Sequence, residues 1–291
     1  MKVLFKFVLL SAMLISFTGC QESNEVAIYQ LSNQSYSQMM SYIIEDEGTT
    51  IVVDGGTAED EENLIKTIKK VSKDRKVDAW FLTHYHKDHT GALAKYLQSG
   101  SNEIQIDKVY YNFPEESWVE KNEPHRYEDV VAIDQGLKTF DNKEVVSFNQ
   151  KITVGEDQID VLRTYNPEIT ENAGNNSSSV YKMNVQGTKI LFLGDLGVEG
   201  GEELLSLNKE AIKNMDYVQM AHHGQAGVNE DVYQVIDPKY CLWPTTDWLW
   251  KNEGKAYKTD ETKKWVKALH VKKNYVADNG TVRIELKKKE K

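Results

Sequence analysis

The sequence predicts one layered α/β domain, and three observations predict it. Strand-like and helix-like patterns alternate along the chain. No low-complexity linker or internal repeat interrupts them, and the most polar clusters follow directly on apolar strands. In layered α/β proteins, side chains from distant segments converge at strand ends, so these clusters predict a single site at one edge of packed sheets. At 291 residues the chain can bury a large core, and 40% hydrophobic with 27% charged residues is a soluble globular composition.

The N-terminus stands apart. Met1-Lys2 and Lys6 make a short basic start, and 7–17 is apolar. A membrane-spanning helix needs roughly 20 residues, so this run fits the core of a secretory signal peptide instead. Phe17-Thr18-Gly19-Cys20 resembles a bacterial lipobox, although Phe17 stands where leucine is usual. The expectation is a lipoprotein signal over 1–19, a lipidated Cys20, a short tether over 20–25 and a folded domain over 26–291. An ordinary secretory peptide cleaved nearby is the alternative. The domain would then be exported and lipid-anchored on the outer face of the bacterial cytoplasmic membrane or cell envelope, touching the membrane only through its N-terminal lipid. Cleavage would remove Lys2 and Lys6 from a chain already at a formal charge of −10. Such acidity disfavours nucleic acid unless basic residues or metals reverse the local field. The basic end, 287–291, reads as solvated. With Cys20 lipidated, Cys241 has no disulfide partner and reads as a small buried side chain.

Within the domain, strands are predicted over 26–31, 38–44 and 50–53, with Glu47-Gly48 as a turn and Asp54-Gly55-Gly56 breaking the third. Leu64, Ile65, Ile68 and Val71 share one face of a helix over 58–71, and the acidic 59–62 suits its N-terminal end. A buried strand over 77–82 leads into a histidine-rich loop and a short helix over 92–98. A strand over 108–113, a helix over 127–140 and two or three short strands within 145–164 follow. A polar loop ends in 174–179. Then come a hairpin (180–185 and 189–193), a strand over 217–220 and a strand over 240–243. Helices over 230–236 and 261–269 and a last strand over 282–286 complete the pattern.

The chemistry lies in two runs. Five of the seven histidines fall in Thr83-His84-Tyr85-His86-Lys87-Asp88-His89-Thr90-Gly91 and Ala221-His222-His223-Gly224. Metals need neutral imidazoles and ionised carboxylates converging within about 2.0–2.2 Å, and few short segments offer three imidazoles and a carboxylate together. A tight loop can aim His84 and His86 at one ion while Asp88 and His89 face a neighbour. Asp195, at the tip of an apolar strand, has two oxygens with which to bridge them. Two ions about 3.5–4 Å apart can share a hydroxide and stabilise a leaving group, with no serine or cysteine nucleophile.

Thr83 to Gly91 matches the HxHxDH signature of the metallo-β-lactamase superfamily. Leu193-Gly194-Asp195 resembles its bridging-Asp motif and Asp54-Gly55-Gly56 its early Asp-Gly turn. The resemblance runs from about 26 to 286. It implies a four-layer αββα sandwich holding two divalent metal ions, usually zinc, with manganese or iron as alternatives. The implied metal ligands are His84, His86, Asp88, His89, Asp195 and His222. Asp88 and His223 are the catalytic candidates, His223 to orient a phosphate oxygen or act as general acid, or else to support the ligands. Many members carry a further metal-binding histidine between the first motif and the bridging Asp. Here Asn175-Asn176-Ser177 stands there, and His125 falls too early. That departure resembles the subset containing the competence DNA-uptake domain and the teichoic-acid phosphorylcholine esterase. It points away from β-lactams and towards phosphoesters.

Asn175 and Asn176 are candidate substrate contacts, with a hydrogen-bonded turn as the plainer role. Trp248 and Trp250, beside acidic groups, are candidates for a cation–π cage, with packing as the plainer role. The expected function is an exported dinuclear phosphodiesterase or phosphoester hydrolase using a metal-bridging hydroxide. Its expected substrate is a small molecule or a cell-envelope polymer. The competing readings are a carboxylic ester, thioester or lactone hydrolase, and a non-catalytic metal-binding surface lipoprotein.

Overall fold

A computed structural model describes residues 26–278 and 280–288; the expected signal peptide, Cys20 and the tether lie outside the described residues. One sheet contains β1 (Val26–Gln30), β2 (Tyr42–Asp46), β3 (Thr49–Val53), β5 (Ala79–Phe81), β7 (Val109–Tyr111), β8 (Lys143–Val145) and β16 (Val282–Glu285), in the order β16-β1-β2-β3-β5-β7-β8. The other contains β9 (Lys151–Val154), β10 (Asp157–Arg163), β11 (Val180–Val185), β12 (Thr188–Phe192), β13 (Tyr217–Gln219), β14 (Tyr240–Trp243) and β15 (Lys273–Val276), in the order β15-β14-β13-β12-β11-β10-β9. A small parallel pair, β4 (Lys76–Val77) and β6 (Gln105–Ile106), stands aside.

Alternation along the strands explains the layering. In β2, Tyr42 and Ile44 face the second sheet and pack with Val161, Tyr181 and Phe192, whereas Ile43 faces the other way. The outer face of the first sheet is covered by α1 (Glu61–Val71), α2 (Lys87–Ser99), α3 (Glu116–Asn122) and α4 (Tyr127–Lys138), which bury Leu64, Ile68, Leu93 and Ile133 against Val52 and Trp80. The outer face of the second is covered by α5 (Val198–Asn208), α6 (Glu230–Ile236) and α8 (Thr259–Ala268), through Leu204, Val232, Ile236 and Val266. A short α7 (Asp247–Trp250) follows β14. The result is the expected αββα sandwich, and Cys241 is buried in its second helical interface. No helix among the described residues is long and apolar enough to cross a membrane.

Four expectations about elements change. The strand expected over 77–82 is split into β4 and β5, because Asp78 turns aside to accept the amide of Thr50 at 2.8 Å. The histidine run is not wholly a loop: α2 begins at Lys87, so Asp88 and His89 lie in its first turn. Gly91, in the second turn of α2, is a point of close approach, since a Cβ there would lie 2.8 Å from the Ala58 nitrogen. Residues 38–41 precede β2 rather than belong to it, and α3, α5 and β15 have no counterpart in the predicted pattern.

Candidate metal centre

Parallel strands run β3-β5-β7-β8 and β12-β13-β14-β15, and the C-terminal ends of β3, β5, β12, β13 and β14 deliver the centre. β3 leads to Asp54, β5 to Thr83 through His86, β12 to Asp195, β13 to His222 and His223, and β14 to Pro244.

Asp88, His89, Asp195 and His223 form the tight group, each offering a ligand atom within 4.8 Å of the others, and all four are buried. His223 Nε2 lies 3.2 Å from Asp88 Oδ2 and 3.3 Å from Asp195 Oδ2, and His89 Nε2 lies 3.2 Å from Asp195 Oδ1. His84 packs its ring against both His86 and His89, at 4.6 and 4.1 Å between centroids.

The residues fit a divalent metal by a direct test. His84 Nε2, His89 Nε2, Asp88 Oδ1 and Asp195 Oδ1 are buried and make no hydrogen bond. Native interiors leave few such groups without a partner, and each costs about 1–3 kcal/mol if nothing satisfies it. The opposite ring nitrogens are already engaged. His89 Nδ1 is 2.7 Å from Asp54 Oδ2, His223 Nδ1 is 2.8 Å from the Pro244 carbonyl, and His84 Nδ1 is 3.2 Å from Thr83 Oγ1. Anchoring one nitrogen fixes the tautomer and orients the other towards the ion.

The charges agree with that arrangement. Burial, reinforced by His89 and His86, holds His84 well below the ordinary imidazole range, so it is neutral and ready to ligate. Burial opposes charge on His89 and His223, but Asp195, with Asp54 for one and Asp88 for the other, outweighs it. His89 is raised, and His223 is pushed up to about 9. Burial would raise Asp88 and Asp195, but the facing histidines hold both carboxylates low.

Of the two adjacent histidines, His223 is the one that the structure places in the tight group. His223 is fully buried in the tight group. His222, the expected ligand, stands at its margin with Nε2 3.9 Å from Asp195 Oδ2 and lines the cavity above. The cause is backbone conformation: His222, His223 and Gly224 are all left-handed, at φ 49°, 55° and 79°. Non-glycine residues rarely hold such angles, and strain of this kind collects at functional sites. Gln219 locks the neighbouring turns. Its Oε1 accepts the amides of Leu193 and Gly194 at 2.8 Å, and its Nε2 donates to the Gly194 and Met220 carbonyls at 3.0 and 2.7 Å.

A cavity of about 400 Å³ opens over the centre. Asn175 lines it, with Nδ2 donating to Asn172 Oδ1, whereas Asn176 is committed to structure: its Oδ1 accepts the amides of Gly197 and Gly200 at the start of α5. Trp248 and Trp250 do not reach it. Trp248 stacks on Tyr36, and Trp250 packs against Trp243 with Lys263 Nζ 3.9 Å from its ring centre. His125, too early in sequence for a ligand, lines the cavity beside Arg126 and Glu123. Sequence reasoning passed over Glu123, Arg126 and Gln219, which belong to no motif; only Asp54 among the supporting groups had a signal, its Asp-Gly turn.

Asp54 provides the first test. It accepts the Thr83 amide and hydroxyl as well as His89, and its own φ of 53° is left-handed. Asp54→Asn should weaken metal binding by roughly 10–100-fold, since partners behind a ligand carry effects of that size. Chelator competition against the unmodified protein measures it.

Comparison with known proteins agrees with this geometry. The Metallo-beta-lactamase superfamily matches residues 37–240. Comparison with curated proteins gave no match. Among solved structures, the metallo-beta-lactamase fold protein YhfI from Bacillus subtilis aligns with TM-score 0.56 and 15% identity, over 90% of this chain and 100% of that one. CmlA, a diiron beta-hydroxylase from Streptomyces venezuelae, aligns with TM-score 0.57 and 11% identity over 90% of this chain, which spans about half (54%) of CmlA. A diphosphatase from the PhnP family aligns with TM-score 0.50 and 12% identity, over 90% and 98% of the two chains. Identities this low speak for the fold alone. With its sandwich, its strand-end histidines and the match over most of its length, the chain belongs to the metallo-β-lactamase superfamily.

Proposed function

We propose that the protein is a two-metal hydrolase of phosphoesters, most simply a phosphodiesterase. The observation that carries this reading is the lining of the cavity above the centre. Of its side chains only Ala173 is apolar; Gln38, Asn122, His125, Arg126, Asn172 and Asn175 all present polar groups. Pockets for acyl chains or drug-like rings are mainly apolar and aromatic. A phosphodiester instead brings charged oxygens that need donors, and a guanidinium, an imidazole and carboxamides provide them.

His84, His86, Asp88, His89, Asp195 and His223 would hold the ions, with His222 at the margin. Divalent ions bound there supply Lewis acidity and water activated at neutral pH. The protein's own part is to orient and to neutralise. Arg126, 3.2 Å from Asp129 through Nη1, presents fixed positive charge at the cavity wall. His222, partly exposed and donating through Nδ1 to the Ala226 carbonyl at 3.3 Å, leaves Nε2 as an acceptor that can orient a protic group of the substrate or an attacking water. Zinc is the expected metal. Turnover of the metal-loaded protein against a choline-phosphate ester, DNA and simple carboxylic esters tests the reading; cleavage of the carboxylic esters alone would replace it with the carbonyl alternative.

We further propose that this chemistry acts on the cell envelope, on the strength of the lipobox-like sequence at Cys20. Cys20→Ser should move the protein out of the membrane fraction of its producing cells. An unchanged distribution contradicts lipid anchoring.

A further inference from the structure

Glu123 enters the centre from a segment with no motif. It follows α3, with its amide bonded to the Val119 carbonyl at 2.8 Å and its carbonyl accepting from Arg126 at 2.9 Å, so its backbone is held from both sides. Its side chain is buried, at 8% exposure. One carboxylate oxygen, Oε2, accepts from His86 Nε2 at 2.9 Å and from the Tyr85 hydroxyl.

Gly174 makes the arrangement specific. A Cβ at 174 would lie 1.9 Å from Glu123 Oε2, 2.2 Å from His86 Nε2 and 2.8 Å from the Tyr85 hydroxyl. The loop in which the family's further histidine is expected therefore has no side chain at its nearest point. The Glu123–His86 bond fills that volume.

We propose that Glu123 is a positioning residue for the metal centre: it holds His86 through Nε2, so that Nδ1 is the nitrogen left for the ion, and Gly174 keeps the space that this contact needs. A carboxylate behind a ligating imidazole fixes its tautomer and orientation and raises its basicity. Tyr85, donating to the same oxygen, fixes the rotamer of the carboxylate. The inference rests on the metal centre alone and is independent of the phosphoester reading, because its test uses no substrate.

The test is zinc affinity of the full chain by chelator competition, with ion content at saturating zinc and the melting temperature of the metal-free protein alongside. Glu123→Gln keeps an acceptor and loses the charge; it should weaken one ion by about tenfold. Glu123→Ala should weaken it towards about a hundredfold. Tyr85→Phe should do less than either. Each variant should still load as many ions as the unmodified protein at saturation, and metal-free Glu123→Gln should melt where the unmodified metal-free protein does. Unchanged zinc affinity in both Glu123 variants overturns the proposal. So does the loss of a whole ion at saturation in Glu123→Gln, which would make Glu123 a ligand itself. Loss of metal-free stability equal to the loss of affinity would assign it a structural role instead.

Discussion

Asp195→Ala should leave the protein folded and lower kcat/KM by on the order of 10³-fold or more, a loss of about 4 kcal/mol of transition-state stabilisation. The carboxylate faces His89 and His223 and lies beside His222, where it would serve both ions of the proposed centre. Its backbone does not depend on it. The Asp195 amide donates to Ser178 Oγ at 3.0 Å, and the preceding turn is held by Gln219. The turn should keep its shape while the centre loses one of its carboxylates. His86→Ala should collapse activity in the same way. Steady-state rates, paired with circular dichroism and metal analysis of the same preparation, check both, and an active Asp195→Ala protein would remove this carboxylate from the chemistry.

Metal removal has the second large effect, on stability as well as rate. A ligand that binds only the folded state at 1,000 times its Kd adds about 4.1 kcal/mol. For a chain of this size that corresponds to a fall of roughly 10 °C in Tm on chelation. The metal-free protein should nevertheless stay folded at neutral pH, because protons on His89 and His223 then face Asp88, Asp195 and Asp54. The sign follows from the shift. His223 is raised from 6.5 to about 9 in the fold, so its contribution is complete below about pH 6.5 and fades as pH rises through about 9. The Tm of the chelated protein should therefore fall across that interval, and fall less when metal is bound, since the ions replace those protons. Calorimetric scans from pH 6 to 9.5, with and without chelator, measure both effects. A metal-free Tm that climbs over the interval would contradict the pairing.

Much of this centre was legible because its parts are local. Three histidines and an aspartate in six residues, and an aspartate at a strand tip, announce themselves in any register. What was hidden depends on backbone angles or on distant chain. His222 and His223 are adjacent, and which of them turns inward is decided by three consecutive left-handed residues that the words His-His-Gly do not reveal. Glu123 sits among ordinary surface-type charges between 115 and 128. Only the fold brings it 37 residues back to His86, opposite a glycine whose reason for being small is spatial. The fold class was clear from alternation, whereas β15, with the polar sequence Lys-Asn-Tyr-Val at a sheet edge, offered no apolar run to find. At the tryptophan loop the rings pack on Tyr36, Trp243 and Lys263, the plainer of the two roles that its aromatic and acidic residues allow.

We propose above that polar side chains over a two-metal centre select a phosphoester. The most direct measurement is the ratio of kcat/KM for bis-nitrophenyl phosphate to that for nitrophenyl acetate, on one zinc-loaded preparation with Asp195→Ala as the blank. A phosphodiester rate above the blank, lost with Asp195 and weakened in Arg126→Ala more than the acetate rate, is the result expected here. Acetate turnover that depends on Asp195, beside phosphodiester turnover no faster than the blank, would contradict it.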